Sequence, residues 1–287
     1  DGLSATWAYR ALVARNLAEN GLFAETSLGR PAPVTYASTG LPGILPLAFS
    51  FKLFGVGAWQ GRLPGQIITA AALLALYVLS RKLYNSKTAT AALFVALFMS
   101  GAHIHLHPIL LGRQALGEMP ALLFLLIGYL CMAAGWRARP GWILAAALFW
   151  SLGLSTKAQA IPFFVISLAA PTILLLARRW WSQGGLLAGM LLGSLLCFLA
   201  WERLPSVLFP QVMLGETRMG ALVAGAMEQR TDTMFDMVFV TDLAPHLQAF
   251  ADAWPVVLPA LAGIGYALVV TARRWRTGRR GRSRRGR

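Results

Sequence analysis

The chain has 287 residues, of which 57% are hydrophobic and 13% charged, with a mean hydropathy of +0.59 and a net charge of +15. A soluble domain carries about 25% charged residues, so ordinary soluble domains are excluded, as are disordered and collagen-like chains. The two cysteines, Cys131 and Cys197, lie inside apolar runs; they exclude a disulfide framework and read as small core hydrophobes.

In chain order, residues 1–62 read as an outer loop with amphipathic and juxtamembrane helices. Ala5–Asn20 predicts an amphipathic helix, with Leu12, Val13 and Leu17 on one face and Arg10, Arg15 and Glu19 on another. Asn20-Gly21 ends it, and a Pro/Gly-rich loop runs to Gly43. Ile44–Phe54 is apolar but short, is broken by Pro46 and carries Lys52, a pattern that suits a helix lying in the membrane interface. Six uncharged apolar runs then fill residues 63–200: Leu63–Leu79, Thr88–Ala102, Met119–Gly135, Pro140–Thr156, Ala158–Ala177 and Gly184–Ala200. Residues 201–254 form an outer loop with seven acids and several methionines, expected to fold as helices over the outer face with Met as core filling. A seventh run, Pro255–Val270, precedes a basic tail at 271–287. Backbone polar groups in hydrocarbon must be satisfied within their own element, so the runs should be helices. The expected fold is all-α, a polytopic transmembrane bundle of about seven spans with outer-face juxtamembrane helices.

Charge placement orients the bundle. With residue 62 outside and sides alternating, the inside segments 80–87, 136–139, 178–183 and 271–287 hold 16 basic residues and no acid, whereas all 11 acids fall outside. The positive-inside rule supports this arrangement. It predicts a multi-pass protein of the cell inner (plasma) membrane, with any site on the periplasmic or extracellular side. The Arg-rich tail then reads as a cytosolic anchor touching lipid headgroups, and a nucleic-acid function is rejected. Asp1 rather than Met stands first, on the outer side, so the sequence is expected to be a piece of a longer protein with a further span upstream.

None of the seven runs contains Asp, Glu, Lys, Arg or His, which argues against an ion-coupled transporter. Arg113, Glu118 and Lys157 instead gather at span mouths on one side. An Arg and a carboxylate beside a membrane mouth suit an anionic phosphate and a hydroxyl acceptor. The plainer alternative for Glu118 is a helix N-terminal carboxylate followed by Pro in the first turn. Lys157 departs from the inside preference for cations, which weakens a purely snorkelling role. His103, His105 and His107 form H-x-H-x-H; in a helix His103 and His107 share a face at i, i+4, a metal-ligand spacing. The competing description is an interfacial histidine cluster ahead of Pro108.

Four pieces, in order, resemble the GT-C membrane glycosyltransferases, specifically the bacterial dolichyl-phosphate-mannose–protein mannosyltransferase-like group. They are Tyr9-Arg-Ala-Leu-Val-Ala-Arg-Asn-Leu-Ala-Glu-Asn-Gly21; Ser38-Thr-Gly-Leu-Pro with Phe51-Lys-Leu-Phe-Gly-Val-Gly and Arg62-Leu-Pro; Gly112-Arg-Gln-Ala-Leu-Gly-Glu-Met-Pro120; and Gly153-Leu-Ser-Thr-Lys-Ala158. The resemblance implies a helical bundle with its active site at the outer membrane face. It implies a polyprenyl-phosphate-linked sugar donor, a protein, lipid or glycan acceptor hydroxyl, and inversion at the anomeric carbon. It implies catalytic roles for Glu118, at the second-loop acidic position, and for a first-loop acid. Asp1 is the candidate for the latter, eight residues before Tyr9, with Gly2 where a partner acid usually stands. Arg113 and Lys157 would hold the phosphate. The leaving group is already activated, so no cofactor is required, and a divalent metal on His103 and His107 is the optional addition. The alternative is a non-enzymatic polytopic membrane protein such as a transporter or lipid flippase.

Overall fold

A computed structural model describes residues 2–27, 30–32, 39–98, 117–135, 140–157 and 160–213. The expectations for Asp1, His103, His105, His107, Arg113, the span at 255–270, the basic tail and most of 201–254 lie outside the described residues. Helix α1 (Gly2–Asn20) leads into a short antiparallel ribbon, β1 (Glu25–Ser27) on β2 (Arg30–Ala32), with Thr26 opposite Pro31. Helix α2 (Leu41–Phe54) carries Pro42 in its first turn, where a missing N–H costs no intrahelical bond. It occupies the stretch expected to hold the interfacial helix.

The bundle follows as α3 (Ala58–Leu83), α4 (Ser86–Phe98), α5 (Glu118–Gly135), α6 (Pro140–Thr156), α7 (Ile161–Ala177) and α8 (Trp181–Leu208), with a last turn α9 (Pro210–Met213). Asn85 Oδ1 accepts the Thr88 N–H at 2.9 Å, an N-cap that starts α4 two residues after α3 stops. Helices α3, α5 and α8 are long and apolar enough to cross a membrane. Large apolar side chains such as Ile67, Leu74, Ile173, Leu192 and Leu199 point outward, as lipid-facing surfaces do. The chain is an all-α membrane bundle.

Packing sets the direction of each helix. Ala75 and Leu79 of α3 meet Leu126 and Leu130 in the second half of α5, so both helices run away from Glu118. Helix α6 returns antiparallel to α5, and Gly128 of α5 lies so close to Trp150 of α6 that a Cβ would enter the indole. Trp150 is fully buried between Tyr129 at 5.1 Å and Phe164 at 5.3 Å, and it anchors the main core. Helix α7 leaves again, and α8 comes back alongside α6. Arg81, Lys82, Arg178 and Arg179 therefore collect at one end of the bundle, and the termini next to Glu118 and Lys157 at the other.

A second cluster sits at that other end. Val13 and Ala14 of α1, Phe23, and Ile44, Leu47 and Phe51 of α2 pack together, with Leu204 and Phe209 from the far end of α8 against them. The apolar run ends at Ala200, but α8 continues two turns further to Leu208, because this second core receives the extra turns. Arg10 also differs from expectation. Assigned to the polar face of α1, it is only 2% exposed, since residues 10, 13, 14 and 17 share one helical face and that face is covered.

Candidate functional site

Glu118 occupies the first turn of α5, where the helix dipole favours a carboxylate. Lys157 follows the last residue of α6, where the dipole favours a cation. Antiparallel packing of the two helices brings these ends together, and Lys157 Nζ donates to Glu118 Oε1 at 2.5 Å. The Lys157 side chain is 15% exposed and that of Glu118 37%, so the ammonium is largely covered while the carboxylate stays partly open.

A third segment closes on the pair. Thr39 bridges Lys157 as an antiparallel strand partner, and the Gly40 N–H donates to the Thr156 carbonyl at 3.1 Å. Gly117 packs beneath: a Cβ there would lie 2.8 Å from Thr39 Oγ1 and 3.2 Å from the Thr156 carbonyl oxygen, so only glycine permits this approach. Three of the quoted sequence pieces, around Ser38–Pro42, Gly112–Pro120 and Gly153–Ala158, thus converge through their described residues.

Two shielded polar atoms at this junction, Glu118 Oε2 and Thr39 Oγ1, have no hydrogen-bond partner among the described residues. Buried polar atoms are normally satisfied, so these two oxygens keep bonding capacity that the described residues leave unused. Arg10 adds a further charge. Burial pushes its guanidinium below its ordinary range, and the negative charge of Glu118 pulls it back up. One carboxylate therefore stands between two cations, Lys157 and Arg10, from different elements. The buried Glu202, bonded to Ser155, brings a second carboxylate to the turn that carries Lys157.

Of the predicted site residues, Glu118 and Lys157 are brought together, while Asp1, Arg113, His103 and His107 are outside the described residues. Arg10, Thr39, Ser155 and Glu202 were not singled out by sequence reasoning. The signal for Arg10 was present, because it precedes Val13 and Leu17 by three and seven residues. Glu202 gave none, since it lies just past an apolar run where a helix is expected to leave the membrane. It is 5% exposed and accepts the Ser155 hydroxyl at 3.1 Å. A separate hollow of about 600 Å³ at the start of α3, lined by Trp59, Gln60, Arg62 and Gln66 among others, contains none of these residues.

No curated protein and no solved structure matches the chain. The family model for dolichyl-phosphate-mannose-protein mannosyltransferase does match, over residues 44–201. That stretch is more than half of the chain and includes most of α2, Glu118, Lys157 and most of the bundle. With its all-α membrane architecture, the chain belongs to the dolichyl-phosphate-mannose-protein mannosyltransferase family and is a mannosyltransferase-like glycosyltransferase of the GT-C type.

Proposed function

We propose that the chain moves a sugar from a polyprenyl-phosphate donor to an acceptor hydroxyl at the outer face of the plasma membrane, inverting the anomeric centre. The acceptor is a hydroxyl on a protein, lipid or glycan. The observation that supports this most is the shielded Glu118–Lys157 pair, at the bundle end opposite Arg81, Lys82, Arg178 and Arg179. The positive-inside rule makes the Arg/Lys end cytosolic and the paired end periplasmic or extracellular.

In this reading the acceptor hydroxyl donates to Glu118 Oε2. Glu118 takes its proton as the acceptor oxygen attacks the anomeric carbon, and the bond from that carbon to the phosphate oxygen breaks on the opposite face. The polyprenyl phosphate leaves with the electron pair. Lys157 keeps one N–H on Glu118 and offers the others to the phosphate, with the buried Arg10 behind it, and fixed cations at a partly dry site stabilise such developing charge strongly. Arg113 assists at the phosphate, and Asp1 stands as the second carboxylate on the acceptor side.

Transfer of radiolabelled sugar from polyprenyl phosphate in proteoliposomes tests the proposal. Glu118→Gln should lower kcat by about 10²–10⁴-fold, the usual contribution of a general base. Lys157→Ala should lower kcat and raise the donor KM, with both variants inserting normally. Unchanged turnover in both would sink the assignment.

A further inference from the structure

We infer that Glu202 is a positioning residue for Lys157, acting through Ser155 to hold the last turn of α6 so that the ammonium faces Glu118. The role rests on the reading of Glu118 and Lys157 as the reacting pair. The starting point is a charge in an apolar place. Phe198, Glu202 and Pro205 follow one another on the buried face of α8, and an apolar residue at the middle position would pack there without desolvating a carboxylate. A carboxylate kept on such a face needs hydrogen bonds, and Ser155 Oγ supplies one at 3.1 Å.

That bond crosses between helices, as the Tyr129–Ser167 contact and the Ser50 bond to the Gln60 carbonyl also do, whereas several hydroxyls of the bundle stay within their own helix. Ser151, Thr156, Thr172 and Ser194 direct their hydroxyls onto carbonyls of their own helices. Ser155 reaches across to α8, two residues before Lys157. The Lys157 N–H closes the helix on the Gly153 carbonyl at 3.0 Å, so Ser155 and Lys157 belong to one turn. The Gly40 N–H holds the same turn from the α2 side, through the Thr156 carbonyl. Glu202 supplies the tether from the α8 side. With that tether cut, the turn loses its Glu202 bond to α8 while the Gly40 bond from the α2 side remains, and Lys157 gains freedom to shift away from Glu118.

Trace acylation of lysines in the full chain in proteoliposomes, read by mass spectrometry, tests this without requiring sugar transfer. Lys82, exposed at the opposite end, is the internal reference, and unchanged labelling of Lys52 and Lys87 reports an intact fold. Glu202→Ala and Ser155→Ala should each raise labelling of Lys157 relative to Lys82 by about tenfold, while Glu202→Gln, which still accepts the Ser155 hydroxyl, stays within about twofold of the parent; the factor is of the order expected from losing one buried hydrogen bond. In transfer assays kcat should fall in the same order with the acceptor KM unchanged. Parent-like Lys157 labelling in both alanine variants overturns the inference, as does a Gln variant as reactive as the Ala one. If labelling responds as expected but the parent chain transfers no sugar, the positioning role stands and the proposed reaction fails.

Discussion

Lys157 and Glu118 are each placed by a helix end that favours their charge, and they meet because those helices are antiparallel neighbours. Arg10 is a different case, a guanidinium buried against the grain of its own chemistry. A cation whose pKa is lowered in the fold pays a desolvation penalty below that pKa, and the penalty disappears only as pH rises through it. Arginine starts from so high a value that it keeps its proton throughout the ordinary working range. Arg10→Met should therefore lower sugar transfer by about tenfold or more, with a variant-to-parent ratio flat between about pH 6 and pH 9, as expected for loss of a fixed charge at a partly desolvated site. A ratio that titrates in that window would contradict the role. The sequence made Glu118 and Lys157 visible because charges at the mouths of uncharged runs stand out. Arg10 was assigned to the polar face because arginine is normally read as solvent-facing, although its spacing to Val13 and Leu17 carried the signal, and the cover provided by α2 and the end of α8 buries it.

Between elements, the α5–α6 contact determines how closely the two charge-bearing ends can approach. Its narrowest point is Gly128 against the Trp150 indole. Gly128→Ala should push the helices apart and destabilise the bundle by about 1–3 kcal/mol, the usual cost of overpacking, measurable as a lowered denaturation midpoint in detergent. A midpoint equal to the parent's would mean that the indole can swing aside. Helix positions were readable from uncharged run length, and α3, α5, α6 and α7 lie where apolar runs predict them. The end of α8 was not readable, because Glu202 and Arg203 look like the start of a solvated loop. The cover over Glu202 and Leu204 comes from α1, α2 and α6, distant in sequence, so no local pattern could reveal the covered face.

At the level of the whole molecule, Arg81, Lys82, Arg178 and Arg179 gather at one end of the bundle without an acid among the described residues, and the carboxylates Glu118 and Glu202 stand at the other. Asn20 and Asn85 are exposed near these opposite ends. An impermeant maleimide added to intact cells should label Asn20→Cys directly and Asn85→Cys only after permeabilisation, in a background lacking Cys131 and Cys197. Labelling of both from one side would undo the orientation. The expectation of sidedness comes from the distribution of basic residues, because alternating loops accumulate the signal over the whole chain. The convergence of Thr39, Gly117 and Thr156 was not, since it depends on which helix ends become neighbours.

The extra turns of α8 have a consequence for the surrounding lipid. From Trp181 to Glu202 the helix rises about 32 Å at ~1.5 Å per residue, close to the ~30 Å thickness of a hydrocarbon slab. With Trp180 and Trp181 exposed as interfacial anchors at its lower end, α8 acts as a gauge, setting the height of Ser155 and Lys157 against the headgroup plane. Turnover should therefore peak in vesicles whose acyl chains match that length and decline in both thinner and thicker ones, a dependence that a site carried on loose surface loops would not show.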